Sequence, residues 1–526
     1  MITDAPVVTD TAMTADALID PRELPDVSIV IPLADAAATL PACLDSVLGQ
    51  TIGADHIEIV LIGTATGRLG RALKRFARRH PGRIRLIDEL ADQRPAAVRN
   101  RGIDEARGRY LMFLDGSRKL APSALEKMVK AADRHESDVV LGGDAAATAD
   151  VFTGTAYWSL SANKIYRAEL LNRRDLRFPV EAASGDIEEF TAAAYIAADF
   201  VSAVPDPGTI TPIDARSDTE PAAPVDRIES AARMMAYVAA TLPPGAERDH
   251  LMLRHIEVDL GDATGAAMMP ESEARRLDIL ERARELLSRY LTPEIRTKLP
   301  APMAIRFALI ERGQHAAAQR MAGRKPDAKP PKKVIENGRV YAAYPFFRDP
   351  EIGVPDEAYD ITDELTITQE LEDVSWKGAT CTLTGYAFFE ELSTRKRSTK
   401  LVLRERRSGT EHRFHVTSLP RSDQLNKLGK PRSMSGFQCR LNLRQTGDGY
   451  PIKPGLWDVY LSVGFEGVNR EVRIGRQRSA TVDTTARRSV LVSASSVADG
   501  HEIVATPYYT EHDNLTFEVS SRLPLS

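Results

Sequence analysis

The run VSIVIPL (27–33) is followed by LPACLDSVLGQT (40–51), HIEIVLI (56–62), GRALKRFARRH (70–80), RIRLID (83–88), AAVRNRGIDEAR (96–107) and YLMFLD (110–115). The first, third, fifth and last are short apolar runs rich in β-branched residues, and those between them carry apolar side chains at helical spacing. This alternation predicts an α/β domain, a mostly parallel sheet of Rossmann-like type covered on both faces. In such sheets ligands sit beyond the carboxyl ends of the strands. The residues just after Ile31, Ile62, Ile87 and Leu114 are therefore the first places to look for a site.

Outward from this stretch the pattern changes twice. Between residues 226 and 323 the strand signal gives way to helical periodicity, clearest in RIESAARMMAYVAATL (227–242) and ARRLDILERARELLSRYL (274–291), the latter opened by Pro270 and Ser272. GRKPDAKPPKK (323–333) reads as a solvated, extended linker. Beyond it, ATCTLTGYAFF, TKLVLRER, HRFHVTSL, FQCRLNL, LWDVYLSVGF and REVRIG are short alternating runs between turn residues, which predicts a C-terminal antiparallel β-sandwich. The expected organisation is a flexible N-terminus (1–25), an α/β domain (26–222), a helical connector (223–322), the linker (323–333) and the sandwich region (334–526).

A chain of 526 residues is long for a single core, in keeping with several domains. Lys and Arg number 69 against 74 Asp and Glu, a net charge of -5, so general binding to nucleic acid is not expected. The three cysteines, Cys43, Cys381 and Cys439, are too few and too far apart for a disulfide framework or a zinc knuckle. Residues 1–25 are acidic and rich in Thr, Ala and Asp, unlike a secretory leader, and no run reaches the length of a membrane span. The expectation is a cytoplasmic protein, with association at the inner membrane face through an acceptor, a partner or the basic linker left open.

The pieces VSIVIP, LPACLDSVLGQT, IEIVLI and AAVRNRGIDEARGRYLMFLD (96–115), in this order, resemble the family 2 inverting glycosyltransferases of GT-A fold. NKIYRAELLNRRDLRFP (163–179) looks like the segment that follows the nucleotide half in bacterial polymer-modifying members, and the order of domains is similar to that of wall-teichoic-acid glycosyltransferases. The resemblance implies a sugar-nucleotide pocket in which Pro32, Leu33 and Thr64 receive the base and Arg99 and Asn100 face the diphosphate or ribose. Asp115 would hold a divalent cation, Mg²⁺ or Mn²⁺, and Asp186 would deprotonate the acceptor hydroxyl. Arginine suits phosphate because its planar fork makes two parallel charge-assisted bonds. The acceptor implied is a polyol-phosphate or other wall glycopolymer, and the C-terminal region would serve assembly into a homo-oligomer or polymer contact.

Three positions depart from the family pattern. Where it usually has acidic residues after the second strand to read the base, this chain has Gly63-Thr64-Ala65-Thr66. The Asp-x-Asp after the fourth strand is Asp115-Gly116-Ser117, followed by Arg118 and Lys119. One carboxylate and a hydroxyl make a poor cage for a hard cation unless substrate phosphates complete it; a fixed cation, Arg118 or Lys119, can instead stabilise a departing diphosphate. In SGDIEEF (184–190), counting forward from Phe178-Pro179 puts the base on Asp186, whereas counting back from Phe190 puts it on Ile187. The plainer account of Asp186, Glu188 and Glu189 is a helix's first turn, where carboxylates complement the dipole.

Other features favour structural readings. His250 and His255 are spaced five apart, off one helical face, and read as solvent or core histidines. Trp376, Trp457 and Tyr460 read as sandwich core, and Met234 and Met235 as helix packing. Arg395-Lys396-Arg397 and Arg404 to Arg407 form a basic patch that meets an anionic polymer or decorates an edge strand. Two readings compete for the whole: an active transferase, and a catalytically decayed one kept as a scaffold or glycan-binding module. A pure assembly protein is a third.

Overall fold

In the computed structural model VSIVIP forms β1 (Val27–Pro32), with Val27, Ile29, Val30 and Ile31 fully buried, as a strand covered on both faces must be. Val27, Ile29 and Ile31 share one core with Leu40, Cys43, Leu44 and Val47 of α1 (Leu40–Leu48). Val30 points the other way, toward Gly102. The structure describes residues 24–33, 38–64, 67–87, 94–143, 149–182, 184–205, 210–213, 222–325, 329–394, 397–426, 429–447, 449–485, 489–494 and 502–522. The expected flexible segment 1–25 thus lies outside the described residues up to 23, as do Asp88, Ala65, Thr66, Arg395 and Lys396.

The chain continues through β2 (Ile57–Ile62), α2 (Gly67–Arg79), β3 (Ile84–Ile87), α3 (Pro95–Glu105), β4 (Tyr110–Phe113), β5 (Arg118–Leu120), α4 (Ala124–His135) and β6 (Val139–Gly143). Then come β7 (Lys164–Arg167), α5 (Ala168–Arg173), α6 (Asp186–Ala197), β8 (Val201–Pro205) and β9 (Ile210–Pro212). Seven strands form the main sheet in the order β3-β2-β1-β4-β7-β6-β8, while β5 and β9 pair separately. β1 runs parallel to β2 and β4, β2 to β3 and β6 to β8; β7 is antiparallel to β4 and β6. The sheet is therefore mostly parallel, with one reversed strand.

Helices follow: α7 (Pro224–Thr241), α8 (Ala246–Arg254), a π-helical turn (His255–Leu260), α9 (Gly261–Ala263), α10 (Glu273–Tyr290), α11 (Pro293–Arg296), α12 (Ala301–Glu311) and α13 (His315–Ala322). Ser272 caps α10 by accepting from the Arg275 amide at 3.4 Å, and Met234 and Met235 are buried in α7. The chain divides into two compact units, Met1–Leu299 with Leu309–Arg324, and Pro300–Ala308 with Lys325–Ser526.

The second unit begins with the hairpin β10 (Lys332–Glu336) and β11 (Arg339–Ala343), so Lys332 and Lys333, expected in an extended linker, already pair in a strand. Its main sheet holds β12 (Ile367–Lys377), β13 (Thr380–Phe389), β14 (Arg397–Glu405), β15 (Glu411–Leu419), β16 (Gly436–Asn442), β17 (Gly455–Phe465), β18 (Val468–Arg473), β19 (Val490–Ala494), β20 (Glu502–Tyr509) and β21 (Leu515–Arg522). The hydrogen-bond path runs β12-β13-β16-β15-β14-β17-β21-β20-β19 without a break, with β18 added to β17. Trp376 of β12 meets Phe517 of β21 edge-on at 5.7 Å, and both flank one shared core. The arrangement is sandwich-like, made by one sheet closing over its own core.

Trp457 is buried there, but Tyr460 is only half-buried, its ring under Arg404 at 4.6 Å and Arg473 at 5.7 Å. It belongs to a cationic outer face rather than the core, because β17 turns it away from Trp457's partners. Two arginines of the described part of the basic patch are paired: Arg404 with Glu411 and Glu471, and Arg406 with Asp458. Arg397 turns inward onto the carbonyls of Ser435 and Gly436, both at 2.9 Å.

Candidate active site

The carboxyl ends of β1, β2 and β3 are tied together by the Leu33 amide donating to Ile62 O at 2.9 Å and the Gly63 amide to Ile87 O at 3.1 Å. Gly63 sits at φ 128° with Leu33 only 3.2 Å from where a Cβ would lie, a backbone that a side chain would strain. Pro32 is half-buried, Leu33 buried and Thr64 exposed at this rim. Next along, the backbone turns after β4 at Asp115. Its Oδ1 accepts from the Ser117 amide at 2.8 Å and the Ser117 hydroxyl at 2.7 Å, and its carbonyl accepts from the Arg118 amide at 2.9 Å.

The family's second carboxylate position is thus the hydroxyl that Asp115 already binds. No group of three or more His, Cys, Asp or Glu fit to hold a metal occurs among the described residues. The donor set around Asp115 does not by itself fit Mg²⁺ or Mn²⁺, which want several oxygen ligands. The basic pair after it is fixed in β5, where Arg118 and Lys119 face Pro212 and Thr211 of β9. Cys43 lies behind, its thiol pushed up to about 12 by burial and by Asp115, which makes it inert.

α3 presents Arg99 and Asn100 to different partners. The Arg99 guanidinium donates to Asp186 Oδ2, both side chains 16% exposed, and lies 5.5 Å over the Phe178 ring. Asn100 instead grips the Phe178 backbone, accepting from its amide at 2.7 Å and donating to its carbonyl at 2.9 Å. Phe178 stacks on Phe190 of α6 at 4.0 Å and meets Phe113 of β4 edge-on at 4.7 Å. An aromatic column therefore carries the first turn of α6 to the end of β4. Of the residues expected from sequence, the structure joins Arg99 to Asp186; it gives Asn100 a bracing role and leaves Asp115 with its own turn.

The three carboxylates that open α6 have three different surroundings. Asp186 faces Arg99. Glu189 is clamped by Arg233 of α7, with bonds of 2.9 and 2.7 Å to one oxygen, and by the Ser230 hydroxyl at 3.3 Å. Gly185, at φ 77°, makes that clamp feasible, since a Cβ would come 2.2 Å from Ser230 Oγ. Glu188 turns toward the interior, where burial pushes its carboxyl up and Asp186 and Asp259 add to the effect.

Inside, on β7, lies Lys164, fully buried, its ammonium 2.6 Å from Ser161 O and 5.4 Å from the Tyr195 ring centre. Burial pushes it down to about 7 against the pull of Glu188. Behind them the π-helical turn contributes His255, fully buried, with Nε2 2.9 Å from the Tyr157 hydroxyl and Nδ1 2.8 Å from Asp259, which also accepts from Arg254. Burial holds His255 below the usual histidine range, mainly neutral. The reading of His255 as a core histidine suits this place, and His250 bonds the Gly154 carbonyl at 2.8 Å. Sequence reasoning did not single out Lys164, Phe178, Arg233 or the π-helical turn; for Lys164 the available signal was its place next to the apolar pair Ile165-Tyr166.

With this geometry in view, comparison with known proteins defines the class first. Residues 28–185 match the family described as Glycosyl transferase family 2, so the sheet, α3 and the loop into α6 are a family 2 glycosyltransferase domain. Residues 224–322 match the Glycosyl transferase TarS linker domain, and residues 360–519 the TarS beta-glycosyltransferase C-terminal domain 1. The chain is thus a homologue of the poly(ribitol-phosphate) glycosyltransferases. It is 20% identical to the Poly(ribitol-phosphate) beta-glucosyltransferase of Bacillus spizizenii over 94% of this chain and 78% of that one. Over 34% of each chain it is 23% identical to the Poly(ribitol-phosphate) beta-N-acetylglucosaminyltransferase TarS of Staphylococcus aureus. The crystal structure of S. aureus TarS superposes with a TM-score of 0.56 at 15% identity, covering 94% of this chain and 85% of that one, which shows the fold. TarS 1-349, solved in complex with UDP-GlcNAc, matches at a TM-score of 0.52 and 15% identity over 61% of this chain and 97% of that one. No helix among the described residues is long and apolar enough to cross a membrane.

Proposed function

We propose that this chain is an inverting glycosyltransferase that moves a sugar from a UDP-sugar to a polyol-phosphate glycopolymer of the teichoic-acid type, at the cytoplasmic face of the membrane. The observation that carries the reading is the Arg99–Asp186 pair at the carboxyl edge of a family 2 sheet. The acceptor hydroxyl attacks the anomeric carbon, its proton passes to Asp186, and the bond from that carbon to the diphosphate breaks with inversion. Arg99 holds one oxygen of Asp186 and leaves Oδ1 for the acceptor. The charge that grows on the departing diphosphate is met by Arg118 and Lys119, with Arg99 at the boundary between the two halves. Pro32, Leu33 and Thr64 form the rim for the base. The homology to poly(ribitol-phosphate) transferases supports the donor and acceptor classes. The sandwich region is the part left for assembly or for holding the polymer.

The test is incubation of the full chain with poly(ribitol phosphate) and radiolabelled UDP-glucose or UDP-GlcNAc. Label in the polymer, lost in Asp186→Asn, is the expected result. Nucleotide binding without transfer to any polyol-phosphate acceptor would overturn it in favour of a decayed transferase kept as a glycan-binding scaffold, a reading that the missing carboxylates at Thr64 and Ser117 favour.

A further inference from the structure

Over its 13 residues α2 carries Arg68, Arg71, Lys74, Arg75, Arg78 and Arg79 and no Asp or Glu. Its apolar side is used by the fold: Leu73 is buried, and Leu69, Phe76 and Ala77 pack against the core that β1 shares with α1. Arg71, Lys74, Arg75, Arg78 and Arg79 are all exposed, and none has a side-chain partner among the described residues. Spaced three and four apart, they lie on one face over three successive turns, about 12 Å from first to last. Like charges at that spacing destabilise a helix, and no carboxylate stands in the first turn to answer its dipole. The connector helix α10 shows the ordinary arrangement: Arg275 pairs with Glu271, Arg276 with Glu273, Arg282 with Asp278 and Arg284 with Glu281. On α2 the repulsion is relieved only by an anion from outside the described fold.

The kind of anion follows from shape and place. The cations stand on the convex, exposed side of a helix, and α2 holds no hydroxyl, amide or carboxylate side chain that could read a sugar or a polyol. Charge density over an open surface is what such a face recognises. It also belongs to the nucleotide half: α2 leads into β3, at the outer edge of the order β3-β2-β1-β4, whereas the aromatic column carries Asp186 against β4. An acceptor chain reaching Asp186 has no need to cross α2. We infer that α2, through Arg71, Lys74, Arg75, Arg78 and Arg79, docks the chain electrostatically on a membrane surface that bears anionic lipid. Because the apolar side of α2 is buried in the core, the contact is peripheral and salt-sensitive, with no insertion of the helix. Each cation near such a surface adds about fivefold in affinity. The inference deepens the membrane-face part of the proposed function and does not depend on transfer.

The experiment is co-sedimentation of the full chain with phosphatidylcholine vesicles and with equimolar phosphatidylcholine and phosphatidylglycerol vesicles, at low and at physiological salt. Wild type is compared with Arg75→Gln/Arg78→Gln/Arg79→Gln and with a charge-matched control on α10, Arg275→Gln/Arg284→Gln/Arg289→Gln. Wild type should sediment with the anionic vesicles alone, and less as salt rises; the α2 variant should lose on the order of 100-fold in affinity while the control keeps the wild-type value. The three α2 side chains are exposed and unpaired, so their replacement removes no contact of the fold. Arg71→Gln/Lys74→Gln, expected to lose roughly 30-fold, carries the test if the first variant does not fold. A wild type that ignores anionic vesicles, an α2 variant that binds them as wild type does, or equal losses in the α2 and α10 variants overturns the inference. Loss of affinity for poly(ribitol phosphate) in the α2 variant, with vesicle binding unchanged, overturns it in favour of the acceptor polymer. Transfer to soluble poly(ribitol phosphate) by the α2 variant should match wild type, so failure at the vesicle leaves the transferase reading standing, and a chain that docks but transfers nothing leaves this one.

Discussion

The Arg99 guanidinium donates to Asp186 across 87 residues of sequence, joining the second turn of α3 to the first residue of α6. A carboxylate so held is aimed in one direction, as a base must be to reach the proton it takes. Asp186→Asn is expected to lower kcat by about 10²- to 10⁴-fold with UDP affinity within about threefold. Arg99→Ala should weaken both, since the same side chain steadies the base and borders the diphosphate. Steady-state kinetics with calorimetry on the two variants separates these effects; equal losses of UDP affinity would count against a base at Asp186.

The cation question turns on Asp115. Its Oδ1 is taken by Ser117, and the next two residues are basic. Transfer of the metal's role to Arg118 and Lys119 predicts that chelation changes UDP affinity by less than about threefold. The Arg118→Ala/Lys119→Ala variant should lose roughly tenfold or more, as expected when charge-assisted bonds worth about 1.5 to 3 kcal/mol each are removed. Titration of UDP in EDTA and in Mn²⁺ gives the answer, and a Mn²⁺ requirement that disappears in Asp115→Ala would reverse it.

The first four strands and three helices were legible because apolar residues recur in each at a single period, Val27 to Ile31 being the plainest. The reversed β7 was not, since a four-residue strand carries no mark of direction. At the site, Arg99 and Asp186 were both visible, but only folding shows that they meet. Asn100 shared the motif with Arg99 and was read with it, although successive helix residues point about 100° apart and reach different neighbours. Lys164 lay inside a quoted segment and passed unremarked because a lone lysine on a strand ordinarily faces water. Counting alone left Asp186 and Ile187 as rivals; the positive φ at Gly185 starts α6 at Asp186 and brings that side chain to Arg99.

Asn100 tests the bracing role directly. Its two bonds to the Phe178 backbone hold the aromatic column of Phe178, Phe190 and Phe113. Asn100→Ala leaves a buried backbone pair without partners, at a cost of about 1 to 3 kcal/mol. Chemical denaturation should show that loss, with UDP affinity nearly unchanged at temperatures where the variant is folded. A selective loss of UDP affinity at full stability would return Asn100 to the nucleotide pocket.

Gly102 lets α3 lie directly on β1. A Cβ there would come 2.3 Å from Val30 Cγ1 and 3.2 Å from Ile62 Cδ1, and overpacking a core typically costs 1 to 3 kcal/mol (about that range). Gly102→Ala is therefore destabilising despite alanine's better helix propensity. Because α3 carries Arg99, the helix's displacement should also lower kcat. A variant as stable as wild type in denaturant would show that Val30 yields freely.

Lys164 makes a prediction that needs no activity. Its folded-state value of about 7 lies below the ordinary lysine value of 10.5, so between these pH values the unfolded chain binds a proton that the folded chain has released. Stability rises with pH wherever the unfolded state holds more protons. The penalty from burying Lys164 is thus fully present below about pH 7 and fades as pH climbs toward 10.5, an effect of a few kcal/mol overall. Lys164→Met removes the titrating group and keeps the length of the side chain. Its advantage over wild type in thermal midpoint should be largest near pH 7 and shrink steadily at pH 8, 9 and 10. Thermal midpoints of the two full chains that run parallel across this window would mean that Lys164 keeps its proton in the fold.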